Sequence, residues 1–156
     1  MTLKILTVLC FCMLFVFSAN PQASYAPDSK QVEDVHEAVF RHFFAHELTG
    51  SNAEAFCISS ARSLPLNFVK RFANNDPPVV WLSECPFGSN KSEPLMKKKE
   101  PAERIGVTKV RWISAVEVEV RGYCRYGELG YTEQLLHLVR KNGRWIVNRV
   151  ETEVYS

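Results

Sequence analysis

The chain has 156 residues, 46% of them hydrophobic and 23% charged, with 19 Lys and Arg against 17 Asp and Glu for a net charge of +2. This is the composition of an ordinary folded domain with enough residues to bury a core; it excludes a disordered tail, a collagen-like fibre and a protein of many membrane spans. The balanced charge gives no strongly basic, phosphate-tracking surface, so nucleic acid is not an expected partner.

Residues 1–26 read as a secretory signal peptide. Lys4 supplies the positive start, residues 5–19 form an apolar run without charge, and Ser18, Ala19, Ala23, Ser24 and Ala26 are small residues of the kind that surround a cleavage site. The run is shorter than the ~20 apolar residues a spanning helix needs, so no stable membrane span is expected after cleavage; an uncleaved anchor is the alternative. Ser24-Tyr25-Ala26 fits the small-x-small rule, and a cut near Ser18 or Ala19 is the other reading. Residues 27–156 then form one domain, secreted or periplasmic. Export places Cys57, Cys85 and Cys124 where disulfides persist. Cys57 and Cys85 lie in segments that read as ends or loops and are the expected bridge, contributing about 3 kcal/mol by the chain-entropy model; three packed thiols are the alternative. No pair has C-x2-C or C-x4-C spacing, and neither a metal nor a cofactor is expected.

Residues 31–48 have the period of an amphipathic helix. Val32, Val35, His36, Val39, Phe40, Phe43 and His46 share one broad face, with Asp34, Glu37, Arg41 and Ala45 opposite. Asp28 or Ser29 can cap its start and Gly50 suits its end. Residues 51–61, around Phe56-Cys57-Ile58, are expected to begin a short helix. Residues 64–73 read as a second, with Ser63 as cap and Leu64, Phe68 and Phe72 in four-residue steps. Val79-Val80-Trp81-Leu82 is a short strand candidate. Residues 86–103 read as a solvated loop whose Lys97-Lys98-Lys99 cluster is an exposed surface.

From residue 105 the period changes to that of strands, over 105–113, 115–126, 131–140 and 145–155. Val116, Val118 and Val120 alternate with Glu117, Glu119 and Arg121, giving one face for the core and one for water. Gly122 suggests a bulge. Asn142-Gly143 between the last two runs is a strong hairpin signal, because both residues tolerate positive φ. The fold class expected is α+β, with the N-terminal amphipathic helix packed on a curled C-terminal antiparallel meander.

The leading helix (Val32-Glu-Asp-Val-His-Glu-Ala-Val-Phe40), the short middle elements and the closing run Leu138-Val-Arg-Lys-Asn-Gly-Arg-Trp-Ile-Val147 together resemble the NTF2-like superfamily, with its ketosteroid-isomerase-like and cystatin-like cones. The resemblance covers residues 31–155 and is one of architecture. It implies a sheet curled around the first helix, often with a pocket at the open end, and members that are isomerases, cyclases, dehydratases or non-catalytic binding modules. It also implies a homodimer through the outer sheet, although the alternating Glu and Arg of the second strand argue for a wet surface and leave a monomer equally open. The strand half contains no Asp to match an isomerase-type acid.

In such a cone His36, Phe40, His46, Trp112, Cys124 and Tyr126 are the candidates to line a cavity for a small apolar ligand. His36 or His46 is a candidate general base, and its alternative is a core histidine bonded to a carbonyl or hydroxyl. His42 and His46 have the one-turn spacing of a metal pair, but no third ligand is in sequence reach and no H-E-x-x-H occurs. Cys124 shares the inward parity of Val118 and Val120, and a buried inert thiol is the simplest account of it. Glu117, Glu119, Glu151 and Glu153 read as cross-strand partners of Arg111, Arg121, Arg140 or Arg149 rather than as an acid–base pair. The sequence therefore points to a non-catalytic module that binds an apolar ligand or a protein partner. A small isomerase or cyclase, and a secreted inhibitor or immunity protein, are the alternatives.

Overall fold

A computed structural model describes residues 25–85, 102–126 and 130–155, with the side chains of Tyr126 and of 153–155 outside that description. The leader up to residue 24 and the loop carrying Lys97-Lys98-Lys99 lie outside the described residues. One helix, α1 (Ser29–His46), precedes a curled sheet of six strands: β1 (Phe56–Ser60), β2 (Val79–Trp81), β3 (Glu103–Trp112), β4 (Glu117–Tyr126), β5 (Gly130–Lys141) and β6 (Arg144–Tyr155). The order across the sheet is β2-β1-β3-β4-β5-β6. The last four strands are the expected antiparallel meander, and β1 joins it in parallel, with β2 parallel outside β1.

Local chemistry sets the ends of α1. Asp28 caps it: its carboxylate accepts from the Gln31 N–H at 2.7 Å, and the Gln31 side chain accepts from the Asp28 N–H at 3.1 Å. Gly50, at φ +80°, turns the chain away after the helix. Val35, Val39, Phe40 and Phe43 are fully buried against Ile105, Val118, Val120, Leu136 and Leu138 of the sheet. Phe40 also meets the rings of Phe68 and Phe72, and Phe44 stacks on Phe56 at 5.0 Å. Gly122 permits a close approach of the helix: a Cβ there would stand 3.0 Å from the Phe43 ring.

Four expectations are corrected. Residues 56–60 form strand β1, not a helix; the run Phe56-Cys57-Ile58 is buried on both faces, and such short apolar runs lack a period that separates the two states. The middle helix is a 3-10 helix, Leu66–Phe72, preceded by Pro65 with no side-chain cap, so Ser63 does not cap it. The bulge is opposite Gly122 rather than on it. Val107 pairs with Gly122 and Lys109 with Arg121, leaving Thr108 over, and its hydroxyl donates to the Arg121 carbonyl at 3.1 Å. A matching irregularity leaves Asn148 over in β6 between Val147 and Arg149. Each extra residue restores inward parity, so Val107 and Val110, and likewise Val147 and Val150, pack on the same core. Val116, expected inward, is 50% exposed, because it belongs to the turn before β4. Asn142 and Gly143 make the tight hairpin turn at φ 50° and 78°.

Two tethers lie outside the main core. Cys57 and Cys85 form the expected disulfide, joining β1 to the residue after the β2 segment across a separation of 28. Arg71 is ringed by Glu33, Asp34 and Glu37 of α1 at 2.8, 3.0 and 2.7 Å, and its guanidinium lies 5.7 Å from the centre of the Phe68 ring. Burial opposes the charge on Arg71, but the hydrogen bonds from the three carboxylates outweigh it and hold the group more firmly protonated. At Asp34 burial pulls the carboxyl upward, and the hydrogen bonds and charges of Lys30 and Arg71 overcome this to leave it below its ordinary value of 3.8.

Replacing both Cys57 and Cys85 with Ala is expected to lower unfolding stability by about 3 kcal/mol, read as an earlier urea midpoint; an unchanged midpoint would contradict a stabilising bridge. Arg71→Ala is expected to cost about 1–2 kcal/mol at neutral pH. The sign of the acid effect follows from Asp34: its folded pKa lies below the unfolded one, so its contribution is present at neutral pH and disappears as pH falls through 3.8 and below. Arg71→Ala should therefore flatten the acid limb of a stability–pH curve, and an identical acid limb in the variant would show that the network does not couple to folding.

Candidate functional site

Among the described residues, the side chains expected to line a cavity lie in different surroundings. His36 is fully buried, and both ring nitrogens are satisfied. Nδ1 lies 2.7 Å from the Val32 carbonyl, which can only accept, so Nδ1 carries the proton. Nε2 then accepts from the Ser60 hydroxyl at 3.0 Å, and Ser60 Oγ accepts in turn from the Arg62 N–H at 3.0 Å. Burial lowers the His36 pKa against the opposing pull of the Val32 carbonyl, with the Arg62 charge adding to the fall. This is a neutral histidine that ties α1 to β1.

Phe40 is part of the packed core, its ring centre 6.1 and 6.2 Å from those of Phe68 and Phe72. His46 is exposed, which corrects its placement on the apolar face: the helix ends there, and Leu48, folded back with its N–H on the Phe43 carbonyl at 3.1 Å, takes the buried position instead. Trp112 stands at the other end of the helix–sheet sandwich with Tyr25 and Trp145, each ring centre 5.5 Å from its own. The Trp112 Nε1 is buried without a hydrogen-bond partner among the described residues. The Tyr126 side chain falls outside the described residues.

Cys124 is inward, buried and free. Burial first, and then the negative charges of Glu103 and Glu47, push its thiol up to about 12, so it holds its proton at neutral pH and is a poor nucleophile. Around it the inner face of the sheet turns polar, a feature the alternation of the strands concealed. Glu103, Thr132 and Gln134 are all buried. Gln134 donates to Glu47 at 2.7 Å, and Ser51 lies 3.4 Å from Glu103. Thr132 and Gln134 sit at inward positions that the sequence pattern reserves for apolar residues; a polar pair at that parity was the available signal.

The outer face is organised in rows. Arg111, Glu119, His137 and Arg149 are register partners across β3, β4, β5 and β6. Arg111 pairs with Glu119 across β3 and β4 as expected, whereas Arg149 pairs with Glu151 of its own strand at 2.8 Å, and Arg121 takes Glu133 at 3.2 Å. Arg149 donates to His137 Nε2 at 3.1 Å, which puts the imidazole proton on Nδ1, 3.4 Å from Glu119. Beside these rows, Ile113, Val116 and Ile146 are 41%, 50% and 40% exposed, next to a shallow cleft of about 310 Å³ that Ile113, His137, Val139 and Arg149 help to line. A larger open cleft, about 440 Å³, runs between Lys30, Asp34 and Glu37 of α1 and Arg144-Trp145 of the hairpin.

The site chemistry gives one direct expectation. At neutral pH, iodoacetamide should leave Cys124 of the folded chain unmodified and label it once the chain is unfolded; rapid labelling of the native protein, followed by mass spectrometry, would contradict a sequestered thiol.

Comparison with known proteins finds no matching protein-family model, no matching curated protein and no matching solved structure.

Proposed function

We propose that this chain is an exported, non-catalytic protein-interaction module that meets its partner with the outer face of the sheet. The observation that carries the reading is where the apolar surface lies. Phenylalanines pack between α1 and the sheet, whereas Ile113, Val116 and Ile146 are exposed near the rows of paired charges. An apolar centre with a polar rim is the anatomy of a protein contact. A filled interior argues against the alternative of a small apolar ligand held within the cone. The leading helix on a curled antiparallel meander supports an NTF2-like architecture. The Cys57–Cys85 bridge is compatible with an oxidising compartment, and among the described residues no helix is long and apolar enough to cross a membrane.

One observation favours a second reading, a hydrolytic or acyl-transfer dyad: Ser60 Oγ lies 3.0 Å from His36 Nε2. Full burial of His36 opposes the imidazolium that such a step must form, and its orienting partner is a carbonyl rather than a carboxylate.

Photo-crosslinking in the exporting cell separates these readings. A crosslinking amino acid placed at Val116 or Ile146 should yield a discrete adduct with a protein, and the same group at the exposed Ala45 of α1 should not. Absence of adducts at both sheet positions, with saturable binding of a fluorescent fatty acid to the purified chain, would replace the proposal with the cavity reading. Labelling by a fluorophosphonate that is lost in Ser60→Ala would replace it with the dyad.

A further inference from the structure

Three of the four histidines lie on α1, and the four divide by what their ring nitrogens do. His36 spends both nitrogens on Val32 and Ser60, and His137 is engaged by Arg149 between Glu119 and Glu151. His42 and His46 make no hydrogen bond or ion pair with the described residues. Their rings nonetheless lie against each other, centroids 4.6 Å apart and tilted by 40°.

We propose that His42 and His46 chelate one divalent cation of the imidazole-preferring class, Cu2+, Ni2+ or Zn2+. Residues one helical turn apart stand on the same side of a helix, and two imidazoles placed so can turn one nitrogen each toward a common ion at ~2.0–2.1 Å. The half-buried His42 ring is held edge-on by Phe43 at 6.1 Å, so one ligand is already positioned. The exposed His46 ring gives the ion its entry and closes the chelate by a side-chain rotation.

The electrostatic setting favours a cation. Both residues occupy the final turns of α1, where the helix dipole is negative, and the Glu47 carboxylate follows directly. Glu47 itself is held by Gln134. Among the described residues no group of three or more His, Cys, Asp or Glu is placed to hold a metal. With two ligands from α1, the site is open, leaving coordination positions that water can fill. The inference is independent of the sheet-face proposal, since the two surfaces share no residue.

The test uses the full chain and Ni2+ as the probe, by titration calorimetry in a non-coordinating buffer. One ion per chain is expected. His46→Ala, a change at an exposed position, should weaken binding by at least ~10-fold and abolish the rise in melting temperature that Ni2+ gives the unaltered chain. His137→Ala should leave the isotherm unchanged. Retained affinity in His46→Ala, a loss that follows His137 instead, or no binding by the unaltered chain at millimolar Ni2+ would each overturn the proposal. Circular dichroism of each variant confirms that α1 is intact. The Cu2+ complex adds an independent readout, because its electron paramagnetic spectrum shows splitting from two nitrogens in the unaltered chain and from fewer in His46→Ala.

Discussion

The burial of one flank of α1 is the constraint from which the rest of this architecture follows. A lone helix of 18 residues with Val35, Val39, Phe40 and Phe43 on one side is not stable in water without a cover. The sheet supplies the cover by curling, so that β3, β4 and β6 all reach the same helix. The approach is close: Gly122 leaves room in the middle of β4 for the Phe43 ring, from which a Cβ there would stand only 3.0 Å. The 3-10 helix closes the remaining side with Phe68 and Phe72, and Arg71 ties that closure to the polar flank of α1 through three carboxylates.

The same packing decides what chemistry the interior can perform. Space that an open cone would offer to a ligand is taken by aromatic rings, and the two reactive groups that face inward are quenched by their surroundings. His36 is neutral with both nitrogens occupied, and Cys124 is kept protonated by burial and by two nearby carboxylates.

Strong periodicity made the helix and the four-strand meander readable in advance, and the hairpin at Asn142-Gly143 followed from the φ tolerance of two residues. The disulfide was readable too, since Cys57 and Cys85 flank segments that the rest of the pattern leaves outside the meander. What could not be read depends on neighbours distant in sequence. Phe56-Cys57-Ile58 becomes a strand because β3 and β2 offer it partners on both sides. The bulge sits on Thr108 because pairing, not the presence of Gly122, decides which strand carries the extra residue. His46 is exposed because Leu48 reaches the core first. The polar inner patch of Thr132 and Gln134 escaped notice because a pattern averaged over a strand hides two exceptions at its start.

The surplus residues Thr108 and Asn148 give the meander an internal reading frame. On either side of each, the assignment of side chains to core or water runs in steps of two, and the surplus shifts the phase once. Were Thr108 paired in regular alternation instead, Val110 and Trp112 would turn into solvent and the charges of Lys109 and Arg111 inward. Length variation inside these strands is consequently confined to pairs of residues, and a change by one is compatible with the fold only at the two positions where the phase already slips.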